Sequence, residues 1–335
     1  MTWPTAPIWT TRGISMRDVL ADLLRWWSAD EPAGLAVVTA TWSSAPRQPG
    51  AAMAVGPGGE VVGSVSGGCV EAAVYDLCLV AAETGEFRTA RFGVADDLAM
   101  GVGLTCGGTV ELAIGRVDRS TFPELPDLVE AVASGEPVSV RISDGYVLSR
   151  GVAGAAAVAF HPAPRMIIFG ATDHAAAVAR IGGFLGYRVT VCDARPVFAT
   201  ARRFPGADEV VVDWPHRYLA AEAAAGRIDD RTVLCVLTHD PKFDVPTLEL
   251  ALRLDVGYIG AMGSRRTHDD RLERLREAGL TEPELGRLSS PIGLDLGARS
   301  PEETAVSIAA EIVALRHGGS GERLARRDGP VHKKF

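Results

Sequence analysis

R-M-I-I-F-G-A-T-D-H-A (165–175) is a short apolar run that ends in a glycine and gives way to helix-forming alanines. A strand that turns through glycine into a helix is where a Rossmann-type α/β fold places its G-x-G-x-x-G/A phosphate loop. Gly170 and Ala175 fill the first and third positions. The second is Thr172, whose side chain stands where bare backbone normally comes close to a pyrophosphate. The spacing predicts a nucleotide-binding fold whose loop is altered against the standard dinucleotide pose.

Outward from that loop, short apolar runs at 166–169, 189–192, 210–212, 233–237 and 258–261 alternate with helical stretches, the pattern of a doubly wound parallel sheet. The second run ends at Asp193, 23 residues after Gly170 and close to the ~20 expected of a ribose-binding acid. Asp193 equally suits a capping role in the following turn, and Arg195 suits either a salt bridge or a phosphate contact. T-H-D (238–240) follows the fourth run, which puts His239 and Asp240 at a carboxyl strand end, where open α/β sheets bind ligands. His239 is the candidate acid/base there, although Asp240 before Pro241 also reads as a turn opener. Y-I-G-A-M-G-S-R-R (258–266) ends a strand at Gly263 and Ser264 and opens a helix. It is read either as an anion site helped by Arg265 and Arg266, or as a turn capped by Ser264 with both arginines solvated. S-P-E-E (300–303) is a structural capping box, and P-I-G-L-D-L-G-A (291–298) is a shaped loop expected to frame a cleft between domains.

Toward the N-terminus the pattern changes class. S-M-R-D (15–18) opens a helix with Val19, Leu20, Leu23, Leu24 and Trp27 on its apolar face, and 35–41 is a buried strand. A-A-M-A-V, G-P-G-G and E-V-V-G-S-V (51–65) read as a hairpin. A helix follows S-G-G-C-V-E (66–71), and strands are expected at 87–92, 109–117, 138–142 and 145–148. The stretch 153–164, with two prolines, reads as the connection between a strand-rich α+β domain (1–160) and the Rossmann-like domain (161–335).

A length of 335 residues suits two domains, and 47% hydrophobic with 23% charged residues is ordinary for a soluble globular protein. A net charge of -8 argues against a nucleic-acid partner. No apolar run approaches the ~18 residues of a membrane span, and the first residues lack the form of a secretion signal, so the expected compartment is cytoplasmic. Five scattered cysteines form no C-x-x-C pair, which sets aside structural zinc and disulfides. Cys78, Cys192 and Cys235 interrupt apolar patterns as small buried residues do. Cys69 sits at a helix start that favours the thiolate, and Cys106 lies in G-V-G-L-T-C-G-G (101–108), a loop that leaves sulfur accessible. Cys106 is the preferred functional thiol. A small buried residue is the alternative for both.

G-S-V-S-G-G-C-V-E, T-C-G-G, V-L-T-H-D, Y-I-G-A-M-G-S-R-R and P-I-G-L-D-L-G-A-R-S-P-E-E-T-A-V-S-I-A-A-E together resemble the XdhC/CoxI family of accessory proteins to molybdenum hydroxylases. The resemblance spans roughly residues 15–317. It implies a maturation chaperone, rather than an oxidoreductase with its own turnover, that binds molybdenum cofactor of the molybdopterin type. It also implies help in sulfuration by a cysteine desulfurase and delivery to a xanthine or carbon monoxide dehydrogenase-type enzyme. Cys106 matches the family's cofactor-associated cysteine and is the candidate metal-contacting residue, since a sulfur-rich molybdenum centre suits a thiolate. Cys69 is the secondary candidate. Relatives usually carry G-A-G-H where this chain has G-A-T-D (170–173), so that loop's role does not transfer. A nucleotide-tailed pterin would use Asp193 and the Gly263-Ser264 turn. The alternative is an NAD(P)-dependent oxidoreductase with His239 as acid/base. Five cysteines cannot ligate two iron-sulfur clusters, so the chain is not a complete xanthine dehydrogenase. A homodimer is the expected assembly, and the Asp193, His239 and Ser264 ends are expected to face the Cys106 loop.

Overall fold

The computed structural model describes residues 16–42, 47–93, 108–142, 146–150 and 157–328. These divide into two compact units, one reaching Pro162 and the other Ala163–Arg327.

In the first unit, helix α1 (Met16–Ser28) buries Met16, Val19, Leu20, Leu23 and Trp26, spaced three and four apart. The sequence places Trp27 on that face. The helix instead seals Trp26, whose indole N–H donates to Glu60 at 2.8 Å, while half-buried Trp27 donates to the Phe122 carbonyl at 3.0 Å. Each indole therefore finds the partner its N–H needs. Strands β1 (Ala33–Trp42), β2 (Ala52–Val55) and β3 (Val61–Gly63) form an antiparallel set, with β2 and β3 joined through the glycine-rich hairpin. Helix α2 (Glu71–Thr84) precedes β4 (Arg88–Phe92) and β5 (Thr109–Val117), completing a sheet in the order β3-β2-β1-β5-β4. Both sheet faces are covered. Leu35 and Val37 join the α1 core, whereas Ala36 and Val38 join the α2 core, so β1 reads as a continuous apolar run. Gly34 permits the α2 contact: a Cβ there would lie 2.1 Å from the Cys78 carbonyl oxygen.

Helix α3 (Leu125–Ser134) packs Leu125 and Leu128 into the α1 core. A second antiparallel sheet, β7-β6-β8, is made by β6 (Val138–Ile142), β7 (Tyr146–Arg150) and β8 (Ala157–Phe160). The connection expected at 153–164 thus contains a strand. A-V-A-F has little strand signal by itself, and it is the open edge of β6 that supplies its hydrogen-bonding partners.

The second unit alternates strand and helix: β9 (Arg165–Phe169), α4 (Asp173–Phe184), β10 (Arg188–Cys192), β11 (Glu209–Val211), α5 (Pro215–Ala224), β12 (Val233–Val236), α6 (Pro241–Ala251), β13 (Tyr258–Ala261), α7 (Arg265–Glu277), α8 (Glu282–Leu285), β14 (Leu288–Ser289) and α9 (Pro301–His317). Its parallel sheet runs β11-β10-β9-β12-β13-β14, the 3-2-1-4-5-6 order of a doubly wound dinucleotide fold. Met166 and Ile168 point to one core with α4 and α9, and Ile167 and Phe169 to the other. The order reverses between β9 and β12, and the crevice that binds ligands in such sheets opens at those carboxyl ends.

Candidate functional site

β9 leaves the sheet through Gly170, held at φ 110°, where a Cβ would meet the Leu237 and Thr238 backbone at 3.0 Å. Glycine is what lets the ends of β9 and β12 touch at the switch point. Thr172 then caps α4, its hydroxyl accepting the Ala175 N–H at 3.1 Å. Asp193, at the end of β10, is 2% exposed. Its Oδ1 accepts the Arg195 backbone N–H and Nε, both at 2.9 Å, and its Oδ2 accepts Ala171 N–H and Arg195 Nη2, both at 2.7 Å. Burial alone would raise its pKa, but the Arg195 and backbone donors hold it below the usual range. With four donors on two oxygens the carboxylate has no acceptor left for a ribose. Of the two roles the sequence leaves open, the hydrogen bonds follow the turn-holding one, tying the β10 loop to the phosphate loop.

Beside this loop lies a cavity of about 360 Å³ whose lining includes Thr172, Asp173, His174, Arg195, Phe198 and Arg203. The guanidinium carbons of Arg195 and Arg203 stand 4.8 and 5.7 Å from the Phe198 ring centre. Arg203 also donates to the Ala171 carbonyl at 3.2 Å and approaches Asp173 at 3.3 Å. Nothing in the sequence marks Arg203 or Phe198, because the loop after β10 has no periodic pattern.

Across the switch point, His239 is exposed, and Asp240 caps α6 by accepting the Lys242 N–H at 3.1 Å while pairing with its ammonium at 2.9 Å. Lys242 lowers the Asp240 pKa. Beneath them runs a buried network invisible to motif reading. Thr238 donates to Asp244; Asp244 pairs with Arg271 at 3.0 Å; and Arg271 donates onward to Ser290 at 3.0 Å and the Met262 carbonyl at 2.8 Å. Burial pushes the Asp244 carboxyl up despite Thr238 and Arg271. A signal did exist: Asp244 stands three and four residues before Thr247 and Leu248, on the buried face of α6.

Past Gly263, Ser264 caps α7, accepting the Thr267 N–H at 3.2 Å, and Arg265 and Arg266 are exposed. The capping and solvated reading of that turn is what the hydrogen bonds follow. The glycine-punctuated loop after β14 is fixed to α9: Gly293 N–H donates to Glu311 at 2.9 Å, and Ser307 donates to the Leu294 carbonyl. The Ser300 and Glu303 capping box forms in both directions.

In the first unit, Cys69 is half-buried in the loop before α2. That loop is organised by Glu71, also unremarked in the sequence. Its carboxylate accepts backbone N–H groups of Ser66 (2.9 Å), Gly67 (2.9 Å), Gly68 (2.8 Å) and Val70 (3.2 Å), with the hydroxyls of Ser64 (2.7 Å) and Ser66. Burial would raise its pKa, yet Ser66, Ser64 and the backbone donors bring it down to about 2. Gly67 and Gly68, at φ 83° and 122°, supply the conformation that lets four amides converge.

The structure therefore gathers Gly170, Thr172, Asp193, His239, Asp240, Gly263, Ser264 and Arg265 at the carboxyl ends of the second unit's strands, while Cys69 belongs to the first unit. Cys106, the preferred thiol and candidate metal contact, lies outside the described residues. Among the described residues no group of three or more His, Cys, Asp or Glu is placed to hold a metal ion.

A family model described as the XdhC Rossmann domain matches residues 166–312, and one described as the XdhC and CoxI family matches residues 26–93. The chain is 29% identical over 286 residues to the molybdenum cofactor insertion chaperone PaoD of Escherichia coli (strain K12), covering 81% of this chain and 80% of that protein. It is 27% identical over 320 residues to a Bacillus subtilis (strain 168) protein named as a probable subunit of xanthine dehydrogenase, covering 85% and 94%. A solved structure from Bacillus halodurans described as a xanthine dehydrogenase shares the fold at a TM-score of 0.69 and 24% identity, over 92% of this chain and 98% of that one.

Proposed function

Since the chain belongs to the XdhC and CoxI family, we propose that it is a maturation factor for molybdenum hydroxylases. In this role it holds molybdenum cofactor of the molybdopterin type as cargo, supports its sulfuration by a cysteine desulfurase and releases it into a xanthine or carbon monoxide dehydrogenase-type enzyme. The observation that carries this reading is the likeness to an insertion chaperone across both units of the chain. The residues present suit the cargo. A molybdenum dithiolene centre is soft and takes a thiolate partner, for which Cys106 is the first candidate and Cys69 the second. Action in the cytoplasm as a homodimer, with delivery to the molybdenum hydroxylase subunit that receives the cofactor, completes the proposal.

The NAD(P)-dependent alternative draws on the strand order and on His239 at the switch point. Against it, Asp193 spends its acceptors on Arg195 and Ala171. The test is purification of the full chain after expression with molybdate, followed by oxidation of bound pterin to its fluorescent form. The wild type should carry pterin, and Cys106→Ala should lose most of it, with Cys69→Ala affected less. Absence of pterin above a tag-only control, with no change in either variant, would overturn the proposal. Saturable NADH binding abolished by Asp193→Ala would favour the oxidoreductase instead.

A further inference from the structure

In the second unit, the two places where a diphosphate would approach the Rossmann loop are already taken by the chain's own groups. Where a dinucleotide's pyrophosphate needs bare backbone, the Thr172 hydroxyl holds the Ala175 N–H. At the next position the Asp173 carboxylate, 85% exposed, stands on the first residue of α4 and reaches toward Arg203. A carboxylate at that helix end already satisfies its positive pole and repels a second anion brought to the same place. The acid that would accept a ribose hydroxyl is engaged four times over.

The cationic groups of the cavity are tied to the loop, Arg203 through the Ala171 carbonyl and Asp173, and Arg195 through Asp193. Arg195 and Arg203 line the cavity beside Phe198, which is 42% exposed. An aromatic ring beside two guanidinium groups offers a flat heterocycle stacking and cation–π partners, and two arginines suit one phosphate. At about 360 Å³ the cavity has room for a single ring system with its phosphate.

We infer that this cavity takes a planar heterocycle bearing a single terminal phosphate, and that Thr172 and Asp173 select against pyrophosphate-linked dinucleotides. The inference rests on the proposed cofactor role in one respect: molybdopterin ends in a phosphomonoester, whereas its nucleotide-extended forms carry a diphosphate.

Three flavins that share one ring system make the test. Titrated into the full-length chain and followed by flavin fluorescence, riboflavin 5′-phosphate should saturate and bind about 10-fold tighter than FAD or unphosphorylated riboflavin. Arg203→Ala should erase the advantage over riboflavin. Thr172→Gly combined with Asp173→Asn, a change glycine tolerates at a helix cap, should bring FAD to within about twofold of the monophosphate; a thermal melt confirms that the variant is folded. FAD binding the wild type as tightly as the monophosphate, a loop variant that leaves the ratio unchanged, or failure of the monophosphate to saturate would overturn the inference. Pterin released from the wild type should lose its phosphate to alkaline phosphatase alone. A need for pyrophosphatase first would also overturn it. Absence of any pterin counts against the proposed function, and the flavin ratio still decides the selectivity.

Discussion

Burial sorts the cysteines by reactivity. Cys78, Cys192 and Cys235 are fully buried, and loss of solvent pushes each thiol up to about 12. At neutral pH such thiols are almost wholly protonated. Brief alkylation of the native protein should therefore label Cys69 and spare these three, as read by peptide mass spectrometry; early label on any of the three would mean that the cores open far more readily than their packing implies. Their inertness was legible, because each interrupts an apolar pattern. The role of Glu71 was not, since in sequence it is one acid at a helix start and only the folded loop shows the amides converging on it. Its pKa is depressed from 4.5 to about 2, so its stabilisation is present above pH 4.5 and is lost as the pH falls toward 2. After allowance for solvent screening the effect is on the order of 1 kcal/mol. Glu71→Gln should lower stability at neutral pH and flatten the acid limb of a denaturation series run from pH 5 to pH 2. An unchanged limb would show that Glu71 does not hold the loop.

Between elements, the Asp244 and Arg271 pair joins α6 to α7 and reaches the strand ends on either side. At 5% and 3% side-chain exposure it is a buried ion pair, whose rupture strands a charge. Arg271→Met should cost about 3 kcal/mol in urea unfolding, whereas replacing both partners with apolar residues should restore much of that loss. Equal loss in the single and double variants would refute the coupling. The long elements of the second unit could be read from sequence because short apolar strands between glycines and helices have few other solutions. β8 and β14 could not be. A four-residue A-V-A-F and a two-residue L-S acquire strand character from the neighbour they pair with, and pairing is a tertiary fact. The choice of Trp26 over Trp27 for the core was hidden for a similar reason: one position of helix rotation separates them, and Glu60 and the Phe122 carbonyl decide it.

For the whole molecule, the distribution of core matters more than its total. Among the described residues, two clusters on opposite faces of the antiparallel sheet serve the first unit and two on opposite faces of the parallel sheet serve the second, with no cluster drawing on both. A unit with its own two-sided core has what it needs to fold alone. The 163–327 fragment, which holds the entire parallel sheet and the Arg195–Arg203 cavity, should then unfold in one cooperative transition with an enthalpy on the order of 100 kcal/mol, as expected for its size. Calorimetry and limited proteolysis decide this. A broad, non-cooperative melt, or rapid cleavage within β9 to β13, would mean that the parallel sheet depends on the first unit. If the fragment folds and keeps its preference for the monophosphate flavin, selectivity resides in the second unit alone.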